Sequence, residues 1–183
     1  MKKSKLNLLY ILLFMSLYGC SVPKFYNEIN EMQKNIKYET EKNNEAVISI
    51  KTQSYNMNKL VFNKLKKELT KTNHIIYLYS ADASFTSKKY WFIVYDVDNN
   101  IYYNIENKDA NSKTIKIVEV NDYLKDNYYR FIFDSYLNDQ CELLKQKGNT
   151  KLSGVRTYEA IYEVNLENKE NRSCYFRNFL YLE

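Results

Sequence analysis

Glycine, proline and histidine are scarce in this chain of 183 residues, which holds three glycines, one proline and one histidine. After Gly19, the remaining glycines are Gly148 and Gly154. Without a glycine-rich loop, the backbone cannot approach a phosphate group closely, and this excludes nucleotide binding of that kind. Gly-x-Ser-x-Gly, the elbow that carries a nucleophilic serine, is also missing. The two glycines instead predict a helix end and a turn.

The single histidine, His74, is the one imidazole that could act as the base for a serine or cysteine nucleophile. It lies between a predicted helix and a predicted strand, so the competing interpretation is that His74 is a capping or surface residue. Paired carboxylates for glycoside hydrolysis could come from any two elements, and nothing selects a pair. We therefore predict no catalytic residue and no enzyme. The alternative is a hydrolase that uses carboxylates or His74.

One segment resembles a calcium loop, because Asp96, Asp98 and Asn100 occupy its first, third and fifth positions. The sixth position is Ile101, where a glycine is needed, and the twelfth is Asn107, where a bidentate glutamate should close the site. A hairpin turn rich in Asp and Asn accounts for the same residues. We predict no metal site and no cofactor.

The N-terminus combines a charged start with one apolar run. Lys2, Lys3 and Lys5 precede the stretch from Leu6 to Tyr18, which is interrupted by Asn7 and Ser16. This order is typical of a secretory signal. Its 13 residues fall short of the roughly 20 that a membrane-spanning helix needs, so an export signal is favoured over a permanent span.

The run ends in Leu17-Tyr18-Gly19-Cys20, which resembles the lipobox of bacterial lipoproteins. The resemblance covers residues 1–20 and implies cleavage between Gly19 and Cys20, with acyl chains attached at Cys20. Tyr18 departs from the small residue that is commoner at its position. Two or three acyl chains make a stable anchor, because each buried methylene adds about 0.8 kcal/mol. The expected location is the non-cytoplasmic face of a bacterial membrane, and Ser21 favours the outer membrane if the cell has two.

Removing the signal changes the charge balance. The whole chain has a net charge of +5, but three of its 27 basic residues lie in the signal, which leaves 24 basic and 22 acidic side chains, a net of +2. That balance predicts no nucleic-acid binding, and it gives no support for a polybasic membrane patch.

Cys141 and Cys174 are the two cysteines that remain. An exported protein can form disulfides, and the two residues lie on a predicted helix and a predicted strand. The alternatives are a disulfide across the core and two buried free thiols. The sequence does not decide between them, because pairing depends on geometry.

Periodicity predicts the elements in chain order. Helices are expected over 24–37, over 57–69 with Asn56 as its cap, and over 122–144 with Asn121 or Asp122 as its cap. The aromatic residues 128–133 of the last segment predict a strand as the alternative. Strands are expected over 46–55, 75–80, 90–96, 101–106, 114–120, 155–164 and 174–182. Adjacent strands with short links predict an α+β domain with an antiparallel sheet and two or three helices packed mainly on one face.

The domain organisation follows from these elements. We predict a signal peptide at 1–19, a lipidated N-terminus with a helical tether at 20–45 and one α+β domain at 46–183. The tether carries an apolar stripe of Phe25, Ile29, Met32 and Ile36, which indicates either a helix lying on the domain or a short coiled-coil seam with a partner.

Two aromatic segments, Tyr90-Trp91-Phe92 and Tyr128-Tyr129-Arg130-Phe131, could stack on sugars or contact a partner, although their spacing favours a core role. The predicted function is that of a membrane-anchored envelope lipoprotein that binds or scaffolds another envelope protein. The alternative hydrolase would also lie in the envelope.

Overall fold

The computed structural model of the protein describes residues 21–35, 57–82, 89–107, 114–149, 158–177 and 179. Each observed strand overlaps a predicted one, and the strand predicted over 46–55 lies outside the described residues. In chain order the elements are α1 (Ser21–Asn35), α2 (residues 57–64), β1 (His74–Asp82), β2 (Lys89–Asp96), β3 (Ile101–Asn107), β4 (Ile115–Asn121), α3 (Asn127–Leu137), α4 (Cys141–Asn149), β5 (Tyr158–Asn165) and β6 (Asn171–Arg177).

The six strands form one antiparallel sheet in the order β4-β3-β2-β1-β5-β6. The central strand is β1, where Leu78 lies opposite Ile93 of β2 on one side and Ile161 of β5 on the other. Its residues 75–79 are all apolar and buried, as expected of a strand that is covered on both faces. The predicted α+β class with an antiparallel sheet is confirmed.

Helices cover both faces of this sheet, which corrects the expectation that they pack mainly on one. The face that carries Tyr77 packs against α1 and α2. The opposite face, which carries Leu78, packs against Ile132 and Phe133 of α3 and Leu144 of α4. The physical reason lies in β1, because a strand that is apolar on both sides requires a covering layer on each.

Helix α1 is part of the domain core. Phe25 and Ile29 are fully buried in the cluster on the Tyr77 face. The Tyr77 hydroxyl donates to Asn58 Oδ1 at 2.8 Å, and Asn58 Nδ2 donates to Asn30 Oδ1 at 3.3 Å and to Gln33 at 3.1 Å. This buried network joins α1, α2 and β1, so the stripe of α1 lies on the domain. The predicted boundary at residue 45 lies outside the described residues.

The single helix predicted over 122–144 is wrong, because the structure contains two helices there. Helix α3 is capped by Asp126, whose carboxylate accepts the Tyr129 N–H at 3.1 Å, and the predicted cap Asn121 instead ends β4. Asn138 caps the C-terminus of α3, and Asp139 follows with φ 57°. Asp tolerates this left-handed conformation better than most residues, so the helix ends here.

Candidate functional site

Two buried carboxylates lie on the sheet face covered by α3 and α4. Glu159 and Glu163 of β5 are 1% and 8% exposed, and they flank Ile161, a residue of the same core face. A strand alternates its side chains between the two faces, so residues 159, 161 and 163 share one. The sequence predicts this strand, but it does not predict that helices bury its glutamates.

Glu163 is the centre of the larger polar network. Its carboxylate contacts His74 Nε2 at 2.7 Å and accepts the Tyr136 hydroxyl at 3.1 Å. The Arg172 guanidinium donates to Glu163 Oε2 through Nε at 2.9 Å and through Nη2 at 2.7 Å. Its third nitrogen, Nη1, donates to Asp139 at 2.6 Å, at the break between α3 and α4. The network therefore ties β1, β5 and β6 to α3 and to the break that follows it.

The electrostatics of this network follow from burial. Burial first, and then the negative charge of Glu163, raises the pKa of Tyr136, so its hydroxyl stays a neutral donor. The Arg172 guanidinium lies 5.7 Å from the centre of the Tyr136 ring, a distance that allows a cation–π contact. Because the Arg172 side chain is 52% exposed, solvent screens part of its attraction to Glu163.

Glu159 forms a second, smaller network on the same face. Its carboxylate accepts the Ser80 hydroxyl at 2.7 Å and the Tyr128 hydroxyl at 2.8 Å. Burial first, and then the charge of Glu159, raises the pKa of Tyr128. Both glutamates thus accept neutral hydroxyl donors from elements that pack against β5.

The spacing of the two carboxylates does not match a glycoside hydrolase pair. Four residues along a strand separate Glu159 from Glu163 by about 13 Å, whereas hydrolytic pairs lie about 5–9.5 Å apart. Ile161 fills the space between them on this face. Within the described residues, no group of three or more His, Cys, Asp and Glu side chains could hold a metal ion. The arrangement joins secondary-structure elements through hydrogen bonds.

His74 is held as part of this arrangement. Its ring contacts Glu163, and its backbone N–H donates to Asp98 Oδ2 at 3.3 Å. Among the described residues, no serine, threonine or cysteine is hydrogen-bonded to the ring. A nucleophile and its base require that contact. The interpretation of His74 as a residue at a helix-to-strand junction agrees with where it lies.

The segment 96–100 is the turn between β2 and β3. The fully buried Asp96 accepts the Thr72 hydroxyl at 2.6 Å and Asn99 Nδ2 at 2.8 Å, and Asp98 accepts the Asn73 N–H at 2.7 Å. Asn100 has φ 55°, a conformation that Asn tolerates in turns. Protein donors thus contact the oxygens that a calcium ion would use, as expected of a hairpin turn.

Both aromatic segments contribute to the core. Tyr90 and Phe92 of β2 lie in the cluster beneath α1 and α2. Phe131 of α3 is partly buried, and its ring packs edge-on against Phe179 at 6.0 Å. The core interpretation therefore agrees with the structure for these residues.

Cys141 and Cys174 form a disulfide in the structure, with their Cα atoms 5.9 Å apart. That separation lies within the usual range of disulfides. The bond joins the first residue of α4 to the middle of β6, so it ties the second covering helix to an edge strand of the sheet.

The predicted anchor residues Gly19 and Cys20 lie outside the described residues. None of the described helices is both long and apolar enough to cross a membrane. No family model matches the sequence, and comparisons with curated proteins and with solved structures find no significant match.

Proposed function

We propose that this chain is a bacterial lipoprotein, anchored through Cys20 on the non-cytoplasmic face of a membrane, whose α+β domain binds another envelope protein. The order of lysines, apolar run and Leu17-Tyr18-Gly19-Cys20 carries the proposal. The outer membrane is favoured for a cell with two membranes. The anchor confines the domain to one surface and thereby raises its effective concentration for partners there.

One structural observation supports an exported protein. The Cys141–Cys174 disulfide is of a kind that persists in oxidising compartments and is rare in the cytosol. Helix α1 contributes Phe25 and Ile29 to the core, so the folded domain includes residues that lie five and nine positions after the proposed anchor residue Cys20.

A binding role is supported by apolar side chains around the edge strand β4, which pairs with β3 in the described sheet. Val118 is 44% exposed, Val120 is 53% exposed and Tyr123, in the following loop, is 55% exposed. Val118 lies where the pairing of β4 with β3 shifts register. An extended apolar segment of an envelope protein could pair with such an edge.

The anchor is tested by growing cells with a labelled fatty acid and comparing the three cysteines. The wild-type protein should incorporate the label and resist a high-salt wash of the membranes. Cys20→Ala should lose the label, whereas the control Cys141→Ala/Cys174→Ala should keep it. Label that persists in Cys20→Ala, or an unlabelled wild-type protein, would overturn the proposal.

The binding role is tested by cross-linking in intact cells, followed by purification from detergent-solubilised membranes. A stoichiometric partner should be lost with Val118→Asp/Val120→Asp. It should be retained with Leu137→Asp, because Leu137 is a comparably exposed residue, 46%, on α3. Equal loss in both variants, or a protein that purifies alone, would contradict a binding role for β4.

A further inference from the structure

The segment 57–71, which begins with α2, is strongly basic although the mature chain is nearly neutral. It contains five lysines and one acidic residue, Glu68. The lysine side chains are all exposed, while the apolar residues of the same segment face the core. The net charge of the whole chain conceals this concentration of positive charge.

The packing of α1 against α2 brings this segment close to the proposed anchor. Asn58 contacts Asn30 and Gln33, and the ring of Phe62 stacks 6.4 Å from that of Phe25. Later residues of α2 therefore contact earlier residues of α1, and the two helices run in opposite directions. The start of α1 consequently lies beside the residues that follow Phe62.

Lys24 adds a further exposed charge at this point. Residues 21–24 are helical, so Lys24 lies about 4.5 Å along the axis from Ser21. One more peptide unit, about 3.8 Å, reaches Cys20. Together these steps are close to one Debye length at physiological ionic strength, about 8 Å. Salt therefore weakens the attraction between Lys24 and an anionic headgroup of the bilayer beside Cys20 but does not abolish it.

Four of the lysines in the segment 57–71 and Lys24 define what we call the basic surface: Lys24, Lys64, Lys66, Lys67 and Lys71. Lys59 is not part of it, because the neighbouring Asn58 contacts Asn30 and Gln33 toward the other end of α1. Within the part of the chain that the structure describes, none of the five forms an ion pair. Other described lysines do form such pairs, for example Lys116 with Glu106 at 2.9 Å and Lys145 with Glu142 at 2.6 Å. No acidic side chain among the described residues therefore neutralises the five lysines of the basic surface through an ion pair.

Acidic residues also occur at this end of the sheet, but two of them are held by the protein. Asp98 accepts the N–H groups of Asn73 and His74, and Glu167 accepts Asn73 Nδ2 at 3.1 Å. Glu68 is the acidic residue nearest in sequence to the basic surface, and its one negative charge is set against the positive charges of five lysines.

We propose that the basic surface contacts anionic lipid headgroups and so holds this end of the domain against the membrane. The proposal rests on the anchor at Cys20, which brings the surface to the bilayer. Each lysine near an anionic bilayer contributes about 1 kcal/mol, which corresponds to roughly fivefold in occupancy of the bound orientation.

The experiment uses the mature lipoprotein reconstituted into vesicles of phosphatidylcholine alone or with 30% phosphatidylglycerol. An amine-reactive acetylating reagent labels exposed lysines, and mass spectrometry gives the rate at each site. The intact mass of the same sample shows whether Cys20 is acylated, so failure of the anchor is distinguished from failure of the basic surface. At low salt, Lys64, Lys66, Lys67 and Lys71 should react at least about fivefold more slowly on the anionic vesicles.

Two charge-matched variants complete the test, with Lys24 as the reporter. Lys64→Gln/Lys66→Gln/Lys67→Gln/Lys71→Gln should abolish the protection of Lys24 on anionic vesicles. The control Lys59→Gln/Lys116→Gln/Lys125→Gln/Lys145→Gln removes the same number of charges outside the basic surface. In this control, the protection of Lys24 should persist.

High salt should also remove the protection in the wild-type protein, because the attraction is electrostatic. Equal rates on the two kinds of vesicle would overturn the proposal. Protection that is independent of lipid charge, or loss of protection in both variants, would overturn it as well.

Discussion

Reduction of the Cys141–Cys174 bond should destabilise the domain by an amount that the structure allows us to calculate. The bond closes a loop with a sequence separation of 33 residues, which contains α4, all of β5 and the first half of β6. The loop-entropy relation gives a stabilisation of about 3.7 kcal/mol at 25 °C for a loop of this length. For a domain of this size, that corresponds to a melting temperature lower by about 10 °C.

The assay is urea unfolding of the full mature chain with and without a thiol reductant. The reduced wild-type protein measures the contribution of loop closure alone, because both cysteine side chains stay in place. Cys141→Ala/Cys174→Ala should be less stable still by about 1 kcal/mol, because Cys174 is 1% exposed and its truncation leaves a small cavity. If reduction lowered the free energy of unfolding by less than about 1 kcal/mol, the reasoning would be refuted, since the bond would then not constrain the unfolded chain.

Three further predictions concern the core and its polar networks. Glu163→Gln should lower the free energy of unfolding by about 2 kcal/mol, because it weakens the contacts with Arg172 and His74; a change below 0.5 kcal/mol in urea unfolding would contradict this. Burial raises the pKa of Tyr128 and Tyr136 above their unfolded value of about 10. The two tyrosines should therefore contribute their full stabilisation to the folded state below pH 10, and above pH 10 the free energy of unfolding should fall by about 1.4 kcal/mol per tyrosine per pH unit. Absorbance at 295 nm checks this, because free titration of both tyrosines near pH 10 in the folded protein would disprove it. Phe25→Ala should cost about 3–5 kcal/mol if α1 belongs to the core, and a cost below 1 kcal/mol in thermal melts would show that α1 is dispensable.

Strands were the easier elements to predict, because their apolar and β-branched residues show clear boundaries. The hairpin between β2 and β3 was predictable from residues 97–100, whose Asp and Asn residues favour turns. The division of one predicted helix at Asn138 and Asp139 was not, since the apolar spacing continues through the break. Asp139 contacts Arg172, which lies 33 residues later in the chain, and such a tertiary contact leaves no local signal.

Residues of the candidate site were mostly missed for a similar reason. The alternation of Glu159, Ile161 and Glu163 with apolar residues predicts a strand with glutamates on its wet face. Once helices were expected mainly on one side of the sheet, burial of that second face could not be predicted. The signal that could have indicated it is β1, whose residues 75–79 are apolar at every position. His74 was noticed because it is the single histidine, but its partner Glu163 is 89 residues away.

The distribution of charge shows a related limit of composition. A net charge of +2 for residues 20–183 gave no indication of a basic surface. The lysines of residues 57–71 become meaningful when α1 places Lys24 and the proposed anchor beside them. Contacts such as Phe25 with Phe62 determine that placement, and charge counts do not contain it.

The central claim, that Cys20 anchors the mature protein, is tested most directly by mass spectrometry of the N-terminal peptide from protein purified from its native membranes. The account predicts a peptide that begins at Cys20 and carries a diacylglyceryl group, with or without a third acyl chain on its amine. A peptide that begins at Met1, or an unmodified Cys20 at any N-terminus, would contradict it.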